Sequence, residues 1–337
     1  SPASPVGRDV IVLSGAELRQ LLPLADVVPA IESAYVAAAG QQAALYPVVR
    51  EPLPDFAAVF GIKSGYWPER GSLGLKVAGY WSGNRARGLD NHQAMIVLVD
   101  PATGVPRAII DGNYITAIRT SAAGAVGLKH LARIDAQTAL IIGTGVQAEA
   151  QARALDWWRP GISLVAFEPF GSRPEDMTAN LCARLAESGI ACQPAGSLPE
   201  AAVAADIIVT TTPATRPVLP AKYLRIGVHV NAMGADTAGK QEHEVGTLRR
   251  ALVVVDDWAQ ASRLGECQHA VAAGLFTGAD HPHAIGEIIA GTAAGRADRD
   301  QITLFDATGL ALQDLAAAEL AIRLARERQL GRIISLD

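Results

Sequence analysis

Lys76 stands in SLGLKVAGYW, a cation in a strand-like run whose neighbours are apolar on both sides. Taking an unpaired ammonium out of water is costly and lowers its pKa. A lysine tuned in this way passes a proton to or from a carbonyl or imine. The other reading has it facing solvent or pairing with a buried carboxylate. Arg119, in TAIRTSAA, is a guanidinium among Ile, Thr, Ser and Ala. Its planar fork suits a substrate carboxylate or an interdomain salt bridge. Arg50, in YPVVREPLP, follows a proline-containing loop and is a second carboxylate clamp or a surface arginine. Asp236, in NAMGADTAGK, follows a strand-like run, where a carboxylate acts as acid or base, holds a water, or caps a helix. His92, with Gln93, opens another strand in LDNHQAM and is a candidate to line the site. Lys63, in FGIKSG, either meets a second substrate carboxylate or lies at the surface. His281 and His283 (DHPHAIGE) look like a metal pair in isolation, but no cysteine or carboxylate set stands at ligand spacing, so no metal is expected. There is no G-x-S-x-G nucleophile elbow.

These side chains need a scaffold, and mid-chain the scaffold is explicit. An apolar run from Thr138 to Ile142 ends in Gly143-Thr144-Gly145-Val146-Gln147-Ala148 and turns into a helical segment. Gly143 permits the tight turn, Gly145 lets a pyrophosphate approach the backbone, and Ala148 lets the helix pack close to the strand. The helix N-terminus offers N–H groups and a positive dipole end to phosphates. A second apolar run, SLVAF, ends at Glu168, where such folds place a ribose-binding carboxylate. Further runs follow at DIIVTTTP, GVHVNAMG, ALVVVDD and ITLFDATG, with alanine-rich helical stretches such as Asp176–Ser188 and Pro199–Ala205 between several of them. Alternating strand and helix predict a Rossmann-type, doubly wound parallel sheet covered on both faces. The cofactor-binding set is Gly143, Gly145, Val146, Gln147 and Glu168, with Thr211, Thr212 and Met233 after later strands.

About 130 residues precede this unit. They open with the strand-like DVIVL and with Ser14 as an N-cap, followed by a helix over Ala25–Ala39 with an apolar stripe through Val28, Ile31, Ala34, Tyr35 and Ala38. Strand-like runs at 57–65, 74–81, 94–100 and 106–111 lack intervening helices, which predicts a mixed or antiparallel sheet. A helix from near Ile115 leads into the nucleotide domain; another spans Leu310 to about Arg328, and the final GRIISLD reads as a strand that docks back on the N-terminal part. The expected organisation is therefore a discontinuous α+β substrate-binding and dimerisation domain, 1–133 plus 312–337, with a dinucleotide-binding domain, 134–311, inserted. Substrate is expected between the two.

Composition sets bounds. The 337 residues suffice for two cores, and half are hydrophobic, yet no apolar run approaches the roughly 20 residues that span a membrane. SPASPVGRD has no apolar signal-peptide core and reads as a frayed tail. A net charge of −5 without a long basic run argues against nucleic acid as partner. Cys182, Cys192 and Cys267 are odd in number and lack metal spacing, which fits reduced thiols in the cytoplasm; Cys182 and Cys192 are expected simply to pack. Only 19% of residues are charged, which suggests surface buried between subunits.

Together, GLKV around Lys76, NHQAMIVLVDPATGVPRAIIDGNYITAIRTSAA, IGTGVQAEAQ, DIIVTTTP, NAMGADTAGKQE, IGEIIAGTAAGR and LFDATGLALQDLAAA make the chain resemble the ornithine cyclodeaminase/μ-crystallin family over nearly its whole length. The resemblance implies a nicotinamide-dependent enzyme of amino or imino acids, commonly a homodimer built through the first domain's sheet. It implies Lys76 as the proton-handling lysine, Arg119 and Arg50 as carboxylate clamps, Asp236 as an acid near the substrate amine, and Gly143, Gly145, Gln147 and Ala148 as the pyrophosphate turn. Many relatives carry Arg or Asn-Arg after the second sheet strand, which suits a 2′-phosphate. Here Glu168-Pro169-Phe170 favours NAD(H) over NADP(H), with Arg173 keeping NADP possible. The expected activity is reduction of an α-imino acid to an amino acid. The cation excess of Arg50, Lys63, Lys76 and Arg119 points to a dicarboxylic imine such as iminosuccinate. The alternatives are an ornithine cyclodeaminase, for which no residue clearly holds the distal amine, and a non-catalytic μ-crystallin-like binding protein.

Overall fold

The computed structural model describes residues 8–337, so most of the expected frayed tail, SPASPVG, lies outside the described residues. The chain forms two compact units: one runs up to Arg119 and includes Leu310–Asp337, and the other is Thr120–Gly309.

The first unit is built on an eight-stranded sheet. Its order is Arg332–Ser335, Asp9–Leu13, Pro106–Asp111, His92–Val99, Ser72–Trp81, Ala58–Trp67 and Ala44–Leu45, and Val49–Leu53 also pairs with Ala58–Trp67. Asp9–Leu13 runs parallel to Pro106–Asp111 and the other pairings are antiparallel, so the sheet is mixed, as turn-linked runs without helices imply. The central hairpin turns at Pro68–Arg70, closed by Gly71 at φ 55, a left-handed position that glycine adopts without strain. Ser14 caps the helix Gly15–Leu21: Glu17 N donates to Ser14 Oγ (3.4 Å), and Ser14 N donates to Glu17 Oε2 (2.8 Å). The next helix, Leu24–Ala39, buries Val27, Val28, Ile31, Ala34, Tyr35 and Ala37, while Ala38 is only half-buried. The helix Ala311–Arg328 lies on the sheet, and the strand that follows it, Arg332–Ser335, pairs antiparallel with Asp9–Leu13.

The second unit is an eight-stranded sheet, ordered Cys192–Pro194, Ser163–Phe167, Thr138–Ile142, Ile207–Thr210, His229–Ala232, Ile302–Asp306, Ala251–Val255 and His283–Ala284. Every pairing is parallel. Sequence order runs outward from Thr138–Ile142 to one edge, then restarts at Ile207–Thr210 towards the other. That reversal is the switch point at which open α/β sheets bind ligands. Cys182 and Cys192 do more than pack: these free thiols face each other, with Sγ atoms 3.0 Å apart.

The helix Gly112–Leu131 belongs to both units, which part inside it at Arg119/Thr120 and not at its C-terminal end near residue 133. Packing explains the position. A Cβ on Gly124 would stand 1.9 Å from Gln151 Oε1, and one on Gly127 would stand 2.5 Å from Asn231 Oδ1. The second half of the helix is therefore pressed into the parallel-sheet unit. No single helix among the described residues is long and apolar enough to cross a membrane; Gly15–Leu21 and Leu24–Ala39 reach that length only as a pair bent by 91°.

Candidate active site

Strand register sorts the cations of the first unit. Directly opposed residues in antiparallel strands point to the same side, and so do residues two apart on one strand. Lys76 opposes Lys63 on one neighbour and Ile96 on the other. Arg50 opposes Gly61, two residues from Lys63, and His92 lies four residues from Ile96. Arg50, Lys63, Lys76 and His92 therefore share one face. It is the face covered by Ala311–Arg328: a Cβ on Gly74 would meet Leu315 Cδ2 at 3.0 Å, and one on Gly65 would meet Leu312 Cδ2 at 3.6 Å. These two glycines, opposed across the hairpin, let the helix approach the sheet.

That approach delivers Asp314. Lys76 Nζ donates to Asp314 Oδ1 (2.8 Å) and to Thr116 Oγ1 (3.2 Å), and Arg119 Nε lies 3.2 Å from the same Asp314 oxygen. Lys76 is 4% exposed, Arg119 8% and Asp314 1%. Next in the chain, Gln313 Oε1 accepts from Arg119 Nη1 (3.3 Å), and its Nε2 donates to Tyr35 Oη (2.7 Å). Burial brings the Lys76 pKa down to about 7: the Asp314 charge opposes this, while Arg119 and Lys63 reinforce it. Burial also brings His92 down to about 4, helped by the Lys76 and Arg119 charges, so its imidazole is neutral at pH 7. Asp314 is held below the usual carboxylate range: burial raises it, but Lys76 and Arg119 prevail.

The second unit carries the nucleotide-type turn. Gly143 sits at φ 110, and a Cβ there would stand 2.7 Å from Thr211 Oγ1, so both conformation and space require glycine. Among the described residues, and apart from its own chain neighbours, nothing lies within 4 Å of where a Gly145 Cβ would stand, and the helix Val146–Trp158 starts there without a side-chain cap. Val146 is exposed, Gln147 is half-buried and Ala148 is fully buried against the sheet. Glu168 accepts from Thr144 Oγ1 (2.6 Å) and Phe170 N (3.1 Å) while 8% exposed. Arg173 is 81% exposed and pairs with Asp176 (3.3 Å). An open glycine cradle, a helix N-terminus and an oriented acceptor beyond the second strand fit the pyrophosphate and ribose of a dinucleotide.

Behind the turn, buried carboxylates hold the strand ends. Glu242 Oε1 accepts from Thr212 N (2.6 Å) and Thr212 Oγ1 (2.8 Å), and Glu242 Oε2 accepts from Gly234 N (2.9 Å) and Thr210 Oγ1 (2.8 Å). This fixes the loops bearing Thr211, Thr212 and the buried Met233. Asp306 accepts from Cys267 N (3.0 Å) through Oδ2, its Oδ1 is buried without a partner, and burial pushes its pKa up to about 7.

The sequence of residues 8–329 matches the model of the ornithine cyclodeaminase/mu-crystallin family. The chain belongs to that family. The iminosuccinate reductase of Paracoccus denitrificans is 36% identical over 327 residues, 97% of this chain and all of that protein. The crystal structure of that reductase in complex with NAD+ superposes with a TM-score of 0.88 at 35% identity, covering 97% of this chain and 99% of the other. An archaeal alanine dehydrogenase dimer with bound NAD gives 0.89 at 33% identity, over 98% and 100%. The Δ1-pyrroline-2-carboxylate reductase of Thermococcus litoralis, in complex with NADH and L-proline, gives 0.87 at 29% identity, over 96% and 99%.

In this family member Lys76 pairs with a buried carboxylate, the alternative set against a free catalytic lysine, and yet remains titratable near neutrality. The partner of Arg119 is Asp314, within its own unit and not across domains. Arg50 is half-buried over Gly61, whose Cβ would meet Arg50 Nη1 at 3.3 Å. Lys63 is buried, not at the surface. Asp236 caps no helix; it accepts from Lys240 Nζ (2.7 Å) and Thr237 Oγ1 (3.1 Å). His281 stacks on Trp258 (4.9 Å), whereas His283 reaches Glu287 (3.4 Å), so the two histidines do not converge. Asp314, Gln313 and Thr116 escaped the sequence reading. LALQDLAAAELA carried a usable signal, an acid among apolar residues, the same cue that exposed Lys76.

Proposed function

We propose that this chain is an NAD(H)-dependent oxidoreductase that reduces the C=N bond of an α-imino acid to the amine, with a dicarboxylic imine of the iminosuccinate type as its substrate class. The observation that carries this reading is the gathering of cations over one sheet face: buried Lys76, titrating near neutrality, with buried Lys63 and half-buried Arg50 on that face and buried Arg119 reaching it from the helix Gly112–Leu131. The named activities of the similar proteins support it. Arg119 and Arg50 hold the α-carboxylate, and Lys63 meets the second carboxylate. Lys76 Nζ gives its proton to the substrate nitrogen as the amine forms and takes it back in reverse. Asp236 orients that nitrogen, directly or through a water. His92, uncharged, lines the site without competing for the carboxylates. Gly143, Gly145, Val146, Gln147, Glu168, Thr211, Thr212 and Met233 would hold NAD(H), which supplies the hydride.

The unit ending at Arg119, with 310–337, is the proposed substrate-binding and dimerisation part. Its second sheet face carries Ile62, Leu73, Leu75, Val77, Met95, Val97 and Ile109 half-buried or exposed, an apolar surface that suits a second copy of the chain. Three free thiols suit a cytoplasmic setting.

The test follows nicotinamide absorbance with NADH and NADPH separately, against oxaloacetate, pyruvate and glyoxylate supplied with ammonia or methylamine, and against cyclic imino acids. Oxidation that requires the amine and is fastest with oxaloacetate is expected. Oxidation fastest with a monocarboxylic or cyclic substrate keeps the reaction and removes the dicarboxylate. No oxidation, with ornithine consumed on catalytic NAD, replaces the reading by a cyclodeaminase. Cofactor binding without turnover of any substrate leaves a binding protein.

A further inference from the structure

Lys76 is packed among cations. Lys63 opposes it across the hairpin, Arg119 reaches it from the helix Gly112–Leu131 beside the neutral Thr116, and Arg50 and His92 share its sheet face. Like charges directly opposed in a sheet repel, and burial removes the water that would screen them. The carboxylate in contact with Lys76 comes from a distant part of the chain. Asp314 Oδ1 stands 2.8 Å from Lys76 Nζ and 3.2 Å from Arg119 Nε, while Asp314 Oδ2 is buried and accepts nothing. Asp314 lies in the first turn of Ala311–Arg328, where the positive end of the helix dipole favours its charge. The neighbouring Gln313 holds Arg119 Nη1 and is itself anchored to Tyr35.

We propose that Asp314 is the positioning residue of this site: one buried oxygen fixes Lys76 Nζ beside the Arg119 guanidinium and keeps that nitrogen able to carry a proton among like charges. No bond to substrate is involved; Asp314 acts through Lys76 and Arg119. Its consequence for catalysis rests on the imine reduction proposed above, whereas its electrostatic effect does not.

The experiment separates the two. The 337-residue chain carrying 13C-lysine has five side chains to resolve, Lys63, Lys76, Lys129, Lys222 and Lys240, and Lys76→Met assigns the Cε signal in question. The Lys76 titration midpoint is read in wild type, Asp314→Asn and Asp314→Glu. Loss of an opposite charge at this distance is expected to move the midpoint down by about 1–3 pH units in the Asn variant, with the Glu variant restoring it. Where imine reduction is measurable, kcat at pH 7.5 falls about tenfold per unit of that shift and recovers in the Glu variant. An unmoved or raised midpoint in Asp314→Asn overturns the proposal. If the Asn variant does not fold, the same coupling is read from its other end, since it is reciprocal. The Asp314 carboxyl carbon should titrate higher in Lys76→Met than in wild type, and an unchanged midpoint there overturns the proposal equally. A shifted midpoint in a protein that reduces no imine leaves Asp314 standing and removes the function.

Discussion

Glu168 offers a sharp test of the cofactor reading. Its carboxylate is 8% exposed and oriented by two donors, Thr144 Oγ1 and Phe170 N, at the end of the second strand. A carboxylate so placed accepts from ribose hydroxyls and repels a 2′-phosphate. A hydrogen bond to a charged group is worth about 1.5–3 kcal/mol. Glu168→Ser should therefore raise KM for NADH by roughly 10- to 150-fold, at about 1.4 kcal/mol per decade. Relief of charge repulsion lowers KM for NADPH at the same time, so the NADH-to-NADPH preference in kcat/KM should contract by at least about a hundredfold if each effect contributes one decade. Arg173, exposed and held by a surface pair with Asp176, can then turn to the phosphate. The assay is steady-state reduction at saturating imine with each cofactor, alongside binding titrations with NADH and NADPH. A purely architectural Glu168 would behave differently. Loss of its two hydrogen bonds would loosen the Thr144 turn and raise both KM values together. An unchanged cofactor ratio in a folded variant refutes the reasoning.

Four further outcomes are expected. Reduction by wild type should decline about tenfold per pH unit above pH 7, because the Lys76 donor loses its proton there, and Lys76→Met should be slower by about 10²–10⁴-fold without that step. Gly74→Ala should lose roughly 1–3 kcal/mol in denaturant unfolding, since its Cβ would stand 2.6 Å from the Val97 carbonyl oxygen. Asp306 has a folded pKa raised from 3.8 to about 7, so the folded state holds its proton over that window and wild type loses stability as pH rises through it. Asp306→Asn lacks that slope and should gain on wild type between pH 4 and 7, by up to about 4 kcal/mol; parallel stability–pH curves would contradict it. Val77→Glu, on the apolar sheet face, should convert a dimer to monomer in sedimentation without unfolding the chain, and an unchanged mass would count against that interface.

What the sequence disclosed follows from which signals are local. The Gly143 turn, the β-branched runs and the Ser14 capping box are each decided within a few residues, so the doubly wound sheet and most strand positions were legible. The switch point was implied as soon as the runs alternated with helices. The boundary between units was not, because nothing in GNYITAIRTSAAGAVGLKHL marks where one helix changes neighbours; that depends on Gln151, Asn231 and Phe305, which come from elsewhere in the chain. Asp314 was hidden for the same reason. A single acid in the first turn of an alanine-rich helix reads as a favourable charge near the dipole, and only its packing partner shows otherwise. Lys76 was found because ten apolar-flanked residues of strand leave a cation no ordinary place.

The period of two that made Lys76 visible also makes its chemistry depend on register. Arg50, Lys63, Lys76 and His92 reach one face only because each pairing in Val49–Leu53, Ala58–Trp67, Ser72–Trp81 and His92–Val99 is in step. A slip of one residue would turn Lys76 to the apolar face and put Leu75 or Val77 beneath the helix. The turn at Pro68–Arg70, with Gly71 in the left-handed region, resists that slip locally. Gly65 and Gly74 resist it globally, because they are the opposed pair over which Ala311–Arg328 packs, and any side chain moved into their places would push the helix away. The 2.8 Å contact between Lys76 and Asp314 is thus the result of two glycines and a turn, none of which touches either charge. Substitutions at those glycines should therefore disturb the titration of Lys76 as they strain the sheet and lift the helix, although neither glycine touches a charge, as a site built by packing requires.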